Sequence, residues 1–285
     1  MNNNIQAAGI MVVAMTSISV NDATVKLLSE TYGIGQILFL RGVVTCILFF
    51  ILVVYRNKTI AVTSLRNRIV VTRGVFELLA TLTFVTGLSL LPLATAATLV
   101  FTSPIFLTIT AALMLREHVG LFRWGAVTAG FCGVLLITRP GGENWSLAML
   151  LPLLAACFVV GRDLCTRRVP TSIPSELIAL ATAVLVTSTG LVLSSWSWSP
   201  VQYKDLLLFI LSGLCVGGFY FFYIVAIRMG ELSFVSPFTY TSIVIAIVLG
   251  MLIWKDKLEW TMLFGASLII ISGVVIFQRE RRGHR

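Results

Sequence analysis

Apolar residues along this chain fall in continuous runs of about twenty, the length of helix needed to cross a hydrocarbon core, with short polar punctuation between them. The runs cover residues 5–28, 34–55, 69–90, 94–115, 121–138, 147–166, 176–196, 206–227, 233–254 and 260–277. The intervening signals include Arg56-Asn57-Lys58, Leu91-Pro92, Arg139-Pro140-Gly141-Gly142, the segment from Pro170 to Pro174, Ser199-Pro200 and Met229-Gly230. The pattern predicts an all-α membrane protein of ten transmembrane helices.

Composition excludes a soluble alternative. Of 285 residues, 58% are hydrophobic and 12% charged, and the mean hydropathy is +0.97. A soluble domain carries about 25% charged residues and at most about half apolar ones. Ten spans of about 20 residues each leave loops of a few residues and no room for a soluble domain. The first run lacks a basic leader and holds Asp22 and Lys26 where a signal peptide would have small residues, so it is expected to remain as the first helix.

The net charge of +9, from 21 Lys and Arg against 12 Asp and Glu, is explained by topology. With both termini in the cytoplasm, the inner segments hold Arg56, Lys58, Arg66, Arg68, Arg116, Arg123, Arg167, Arg168, Arg228, Arg279, Arg281, Arg282 and Arg285. The outer segments hold only Arg139, Lys204, Lys255 and Lys257. That asymmetry is the positive-inside pattern, and it accounts for the basic excess without a nucleic-acid partner. The tail from Arg279 to Arg285 reads as an anchor at anionic lipid.

The two halves repeat. Asn21-Asp22 through Lys26 in the first run corresponds to Arg162-Asp163 through Arg167 in the sixth. Arg116-Glu117, Gly125, Gly133 and Arg139 correspond to Lys255-Asp256, Gly265, Gly273 and Arg279. Residues 1–140 and 141–285 are therefore expected to be two five-helix units. An odd number of spans per unit makes the second enter from the opposite side, an inverted repeat with its substrate site near the midplane.

At these residues the chain resembles a known family. Leu88-Ser89-Leu90-Leu91-Pro92-Leu93-Ala94, then Ser103-Pro104-Ile105-Phe106, Leu115-Arg116-Glu117 and the Gly125/Gly133 helix resemble the EamA repeat of the drug/metabolite transporter superfamily. A second copy is recognisable in the segment from Glu231 to Pro237 and in Trp254-Lys255-Asp256. The copies differ: Asp256 stands where the first has Glu117, and Pro237 lies earlier in its repeat than Pro104. The resemblance implies ten helices, cytoplasmic termini, a bacterial inner membrane and a cavity open alternately to each side, moving small organic metabolites without ATP. The segment from Asn21 to Arg41 is also similar to bacterial uptake members of the superfamily assigned to riboflavin or S-adenosylmethionine. Amino-acid or drug export, and a non-transporting role such as a lipid scramblase or receptor, are the alternatives. A monomer and a homodimer both fit the glycine seams.

Ionisable residues inside a span cost about 2.5–3.5 kcal/mol at its centre and usually face a cavity or a partner. Arg41 either snorkels outward along its stem or contacts an anionic or carbonyl-bearing substrate. Arg73 and Glu77, four apart, either neutralise one another or face the cavity, where Glu77 would couple protons or hold a substrate cation. Asp22 with Lys26, and Asp163 with Arg162 and Arg167, are either intrahelical ion pairs or charges of a gate. Tyr220 and Tyr223 share a helix face and, with Tyr240, either pack or stack a substrate ring and hydrogen-bond its edge. Pro104 and Pro237 interrupt helices four and nine as bends or hinges, with Thr102 and Ser103, and Ser236 in the second copy, supplying hydroxyls.

Nothing in the sequence points to an enzyme, a metal or a cofactor. His118 lies in a loop and His284 in the tail, no P-loop is present, and the five cysteines, lying in apolar runs with no CxxC pair, read as small hydrophobes. Trp145, Trp196, Trp198, Trp254 and Trp260 fall at span ends as an interfacial belt.

Overall fold

The computed structural model describes residues 2–55, 67–103, 105–106, 109–110, 121–139, 145–170, 172–195, 198–229, 236–257 and 259–283. Every regular element among these residues is helical. They are α1 (Asn2–Ser29), α2 (Ile34–Tyr55), α3 (Arg68–Leu90), α4 (Leu93–Val100), α5 (Leu121–Thr138), α6 (Leu150–Arg168), α7 (Ser175–Ser194), α8 (Tyr203–Met229), α9 (Thr241–Ile253) and α10 (Trp260–Gly283), with 3-10 turns at Leu147–Met149 and Ser236–Tyr240.

Local chemistry sets the ends. The Asn67 side-chain oxygen accepts the Ile69 amide at 2.9 Å and caps α3. The Ser146 hydroxyl accepts the Ala148 amide at 3.2 Å ahead of α6. Pro92 and Pro174, which have no N–H to leave unsatisfied, stand immediately before α4 and α7. Elsewhere the apolar runs become helices with ends near the expected limits, and α10 continues past its run to carry the backbone of Arg279, Arg281 and Arg282.

Helix four is interrupted just before residue 104, as expected, whereas run nine departs from the expectation of an interrupted helix. Helix four stops at Val100, turns through Phe101 and Thr102, and is helical again at Ser103, Ile105, Phe106, Ile109 and Thr110. The break falls before residue 104 because a proline there has no N–H for the Val100 carbonyl, and the Ile105 amide reaches back only to Thr102 O, at 2.9 Å. Pro104 itself, with Arg116, Glu117 and His118, lies outside the described residues. In run nine, Pro237 belongs to the 3-10 turn that precedes α9, so it marks an entrance and not a kink within the helix.

Six described helical segments are long and apolar enough to cross a membrane: Ile5–Ser29, Ile34–Tyr55, Arg68–Leu90, Leu147–Thr166, Ser175–Ser194 and Tyr203–Ala226. Shorter apolar stretches occupy Val127–Thr138, Phe238–Ile253 and Trp260–Ser272. Large apolar side chains such as Phe50, Leu207, Leu252 and Phe264 stand exposed on the outside, whereas Asn21, Asp22, Arg41, Arg73 and Glu77 are buried. A water-soluble protein distributes these classes the other way round.

Helix pairing follows one scheme. α1 packs on α8, α2 on α7, α3 on α6, α4 on α9 and α5 on α10. Exchanging the first five helices with the second five returns the same set of pairs. The crossing of α2 and α7 brings backbones into contact: a Cβ on Gly35 would lie 2.6 Å from the Ser194 amide nitrogen, and one on Gly190 would lie 2.6 Å from that of Phe39. α5 and α10 cross the same way, each of Gly133 and Gly265 placing a Cβ 2.7 Å from the other's carbonyl.

Because the obstruction at Gly35 and Gly190 is backbone, no side chain can swing away to relieve it. Gly35→Val or Gly190→Val is expected to destabilise the fold by about 1–3 kcal/mol, the usual range for overpacking. Thermal unfolding in detergent checks this against Gly9→Ala, where nothing lies within 4 Å and no loss is expected.

Candidate functional site

The buried charges gather where α1, α2, α3, α6, α7 and α8 meet. Glu77 on α3 is the centre of one group. Its Oε2 accepts from Arg162 Nη1 on α6 at 3.1 Å and lies 3.8 Å from Arg73 Nη2, and its Oε1 accepts from the Tyr220 hydroxyl on α8 at 3.1 Å. Arg73 spends its other donors on Thr166 (3.0 Å) and Thr182 (2.7 Å), which fastens α3 to α6 and α7. Arg162 Nε also donates to Asp163 Oδ1 at 2.9 Å.

These contacts differ in weight. The Asp163 side chain is 38% exposed while that of Glu77 is 8% exposed, so the Asp163 contact is screened and the Glu77 contact is not. The i, i+4 spacing of Arg73 and Glu77 does bring them together, but the nearer cation is Arg162, from the other half of the chain. In this structure the contacts of Glu77 among the described residues are all donors of the chain itself, which makes it a counter-ion that fixes two guanidinium groups.

Asn21 on α1 is the centre of the second group and was not among the expected site residues. Its Oδ1 accepts from Arg41 Nη1 at 3.0 Å and from the Ser212 hydroxyl on α8 at 2.8 Å, and its Nδ2 donates to Asp22 Oδ1 at 3.0 Å. Thr45 adds a bond from α2 to the Gly213 carbonyl on α8, at 2.9 Å. Arg41 is buried inside the protein, so its guanidinium does not snorkel outward. The only sequence signal for Asn21 was its place beside Asp22 in the repeated motif; Ser212 gave none.

The expected Asp22–Lys26 pair does not form. Lys26 Nζ donates instead to the carbonyls of Leu88 (3.1 Å) and Leu91 (2.5 Å), and sits 5.5 Å from the centre of the Trp254 ring. The end of α3 leaves carbonyls without helical donors, and a flexible lysine stem reaches them more readily than it folds back on its own helix. At that same end Trp254 Nε1 donates to Glu30 Oε1 at 2.9 Å and Tyr32 donates to Asp205 Oδ2 at 2.8 Å. Gln36 and Ser199 exchange two bonds, and Arg139 pairs with Glu259 at 3.0 Å. The side chain of Arg167 lies outside the described residues.

The aromatic residues divide. Tyr220 and Tyr223 both lie against Phe219, at 5.6 and 5.2 Å between ring centres, and Tyr220 also meets Phe49. Tyr240 stands apart in the 3-10 turn, beside Phe101 at 6.2 Å. Its hydroxyl is buried and has no hydrogen-bond partner among the described residues. Phe101 joins the two regions, since it also packs on the α1 cluster with Phe219, Phe222 and Tyr223. The Thr102 hydroxyl is spent on Leu99 O at 2.7 Å, Ser103 is half-buried in the break, and the side chains of Ser236 and Pro237 lie outside the described residues.

Breaking a buried ion pair from one side strands the partner charge and costs about 3–5 kcal/mol. Glu77→Gln is therefore expected to destabilise the protein by that amount. Adding Arg162→Gln should cost less than the sum of the single changes, because the stranded charge is removed. Unfolding of the two single variants and the double variant in detergent measures the coupling.

The chain has known relatives. The model of the EamA-like transporter family matches twice, over residues 6–139 and 146–278. A riboflavin transporter of Rhizobium johnstonii is 32% identical over 216 residues, 75% of this chain and 71% of that protein. An S-adenosylmethionine uptake transporter of Rickettsia bellii is 27% identical over 278 residues, 96% of this chain and 94% of that protein. The pseudopaline exporter CntI of Pseudomonas aeruginosa is 24% identical over 282 residues, 95% of each chain. A crystal structure superposes with a TM-score of 0.64 at 19% identity, covering 98% of this chain and 99% of the other, a likeness of fold. With both halves matched by the family model, the chain belongs to the EamA-like transporter family.

Proposed function

We propose that this member of the family is a secondary transporter that takes a small ring-bearing metabolite across a bacterial inner membrane by alternating access. Ten spans, arranged as inverted units of residues 1–140 and 141–285 with both termini cytoplasmic, are part of this reading. It is supported by the helix pairing that survives exchange of the halves, and by the clustering of basic residues on the loops and tail assigned to the cytoplasm. The observation that carries the reading is the set of buried charges at the meeting of α1, α2, α3, α6 and α8. An intramembrane charge is too costly to keep for packing alone.

In this proposal Arg41 binds a polar group of the substrate and Tyr220 and Tyr223 flank its ring. Glu77 holds Arg73 and Arg162 in place, and Tyr240 lends its unused hydroxyl. The contacts made by Lys26, Glu30, Tyr32, Gln36 and Arg139 form the outer gate, closed here, with Asp22, Arg162 and Asp163 shifting partners as it opens. Pro104, just after the break of helix four, and Pro237, in the turn that enters helix nine, act as hinges because neither offers an N–H. The site is built within one chain, so a monomer suffices. Riboflavin and S-adenosylmethionine are the leading cargoes because relatives are named for them. Export is the second reading, favoured by the likeness to the pseudopaline exporter along nearly the whole chain.

Proteoliposomes containing the chain should accumulate labelled riboflavin or S-adenosylmethionine above empty vesicles. If neither enters and lipid is scrambled instead, the transport reading fails. Cysteines at Gln36 and Ser199, joined by a short cross-linker, should hold the outer end shut and abolish uptake until a reductant restores it. Undiminished uptake by the cross-linked protein would place the gate elsewhere.

A further inference from the structure

Resting on the transporter reading, we infer that Arg41 and Asp22, held apart by the amide of Asn21, form a receptor for a zwitterionic α-amino-acid group, with the substrate's carboxylate on Arg41 and its ammonium on Asp22. The cargo class is then an amino-acid-bearing metabolite and not a neutral heteroaromatic ring.

The contrast between the two halves carries this. At the repeat-equivalent positions of α6, Arg162 and Asp163 bond each other directly at 2.9 Å, and Arg162 reaches Glu77 at 3.1 Å. The second-half charges are satisfied by the chain. In α1 the position of Arg162 is taken by Asn21, a neutral amide. Its oxygen meets the cation and its nitrogen meets the anion: Arg41 Nη1 donates to Oδ1 at 3.0 Å, and Nδ2 donates to Asp22 Oδ1 at 3.0 Å.

Each charge is thereby left incomplete. Among the described residues, no carboxylate lies within 4 Å of the Arg41 guanidinium and no cation lies within 4 Å of the Asp22 carboxylate. Arg41 makes one side-chain hydrogen bond out of the five a guanidinium can donate, and Asp22 accepts one. Lys26, the cation at helical spacing from Asp22, is engaged by the Leu88 and Leu91 carbonyls. Both residues are buried, Arg41 at 5% and Asp22 at 8% exposure. Buried charges are paired as a rule, and these two are set one amide apart. An α-amino acid separates its carboxylate and ammonium by a single carbon, the same order of spacing, and its two charges complement the two that are unmet. The Ser212 hydroxyl, donating to the same Oδ1 at 2.8 Å, fixes the amide so that its dipole keeps this polarity.

Binding of radiolabelled S-adenosylmethionine to the purified full chain in detergent, measured by scintillation proximity, tests the inference without requiring transport. Changing the ligand avoids any question of folding: the decarboxylated and the deaminated analogues should each compete about tenfold or more worse than the parent, the loss expected for one charged hydrogen-bonded contact. Arg41→Gln should weaken the parent by a similar factor and leave the decarboxylated analogue unchanged. Asp22→Asn should weaken the parent and spare the deaminated one. Equal competition by parent and analogues overturns the receptor. So does saturable binding of riboflavin that S-adenosylmethionine and free methionine fail to displace. Either result leaves the transporter reading intact, whereas zwitterion binding with no uptake into proteoliposomes would sink that reading and keep the receptor.

Discussion

The structure turns on the cost of a charge in a medium without water. Glu77 and Arg162 lie in different halves of the chain and meet at 3.1 Å, with side chains 8% and 11% exposed. Neither could sit there alone, since stranding one is worth several kcal/mol. Their meeting determines how α3 faces α6. Through Tyr220 it also fixes the rotation of α8, and through Arg73, Thr166 and Thr182 the position of α7. Apolar packing between lipid-facing helices is only weakly directional, because lipid tails are as apolar as leucine. The polar contacts supply the register that the apolar ones cannot.

Much of the fold was legible because a span is defined by length and apolarity, both properties of contiguous sequence. The limits of α2 and α5 coincide with the apolar runs. The interruption of helix four was legible from its proline, whereas helix nine was misjudged because hydropathy does not count hydrogen bonds. Val100-Phe101-Thr102 is apolar enough to continue a run, yet the donor that the Val100 carbonyl needs is removed by the proline at 104. The site was legible in its residue types and not in its partners. Spacing foretold that Arg73 and Glu77 could touch, but the nearer cation to Glu77 comes from 85 positions away. The same applies to Lys26, whose neighbours on its own helix were visible and whose acceptors at the end of α3 were not.

Asn21 shows a different limit. A neutral amide in an apolar helix attracts no notice beside an aspartate, an arginine and a lysine, yet it organises α1, α2 and α8 with three hydrogen bonds. Its importance lies in what the duplicated position holds in the other half. Where both copies of a repeat carry a direct ion pair, the chain satisfies itself. Replacing one guanidinium by an amide leaves unmet charge, and unmet charge is what a cargo can bind.

The pairing scheme constrains how such a site can open. Each of the pairs α1–α8, α2–α7, α3–α6, α4–α9 and α5–α10 joins a first-half helix to a second-half helix, and that set is unchanged when the halves are exchanged. In the proposed inverted arrangement, a movement that separates one end of these pairs has an equivalent that separates the other. The crossings at Gly35/Gly190 and Gly133/Gly265 bring backbone against backbone, and such contacts can slide or pivot a little but cannot be compressed. The end proposed as the outer gate is held by a handful of polar bonds on Lys26, Glu30, Tyr32, Gln36 and Arg139, of which those of Glu30 and Arg139 are exposed and modest while Tyr32 and Gln36 are buried. In the proposed mechanism, a closure made of few contacts beside a dense, ion-paired centre puts the motion where breaking contacts costs least.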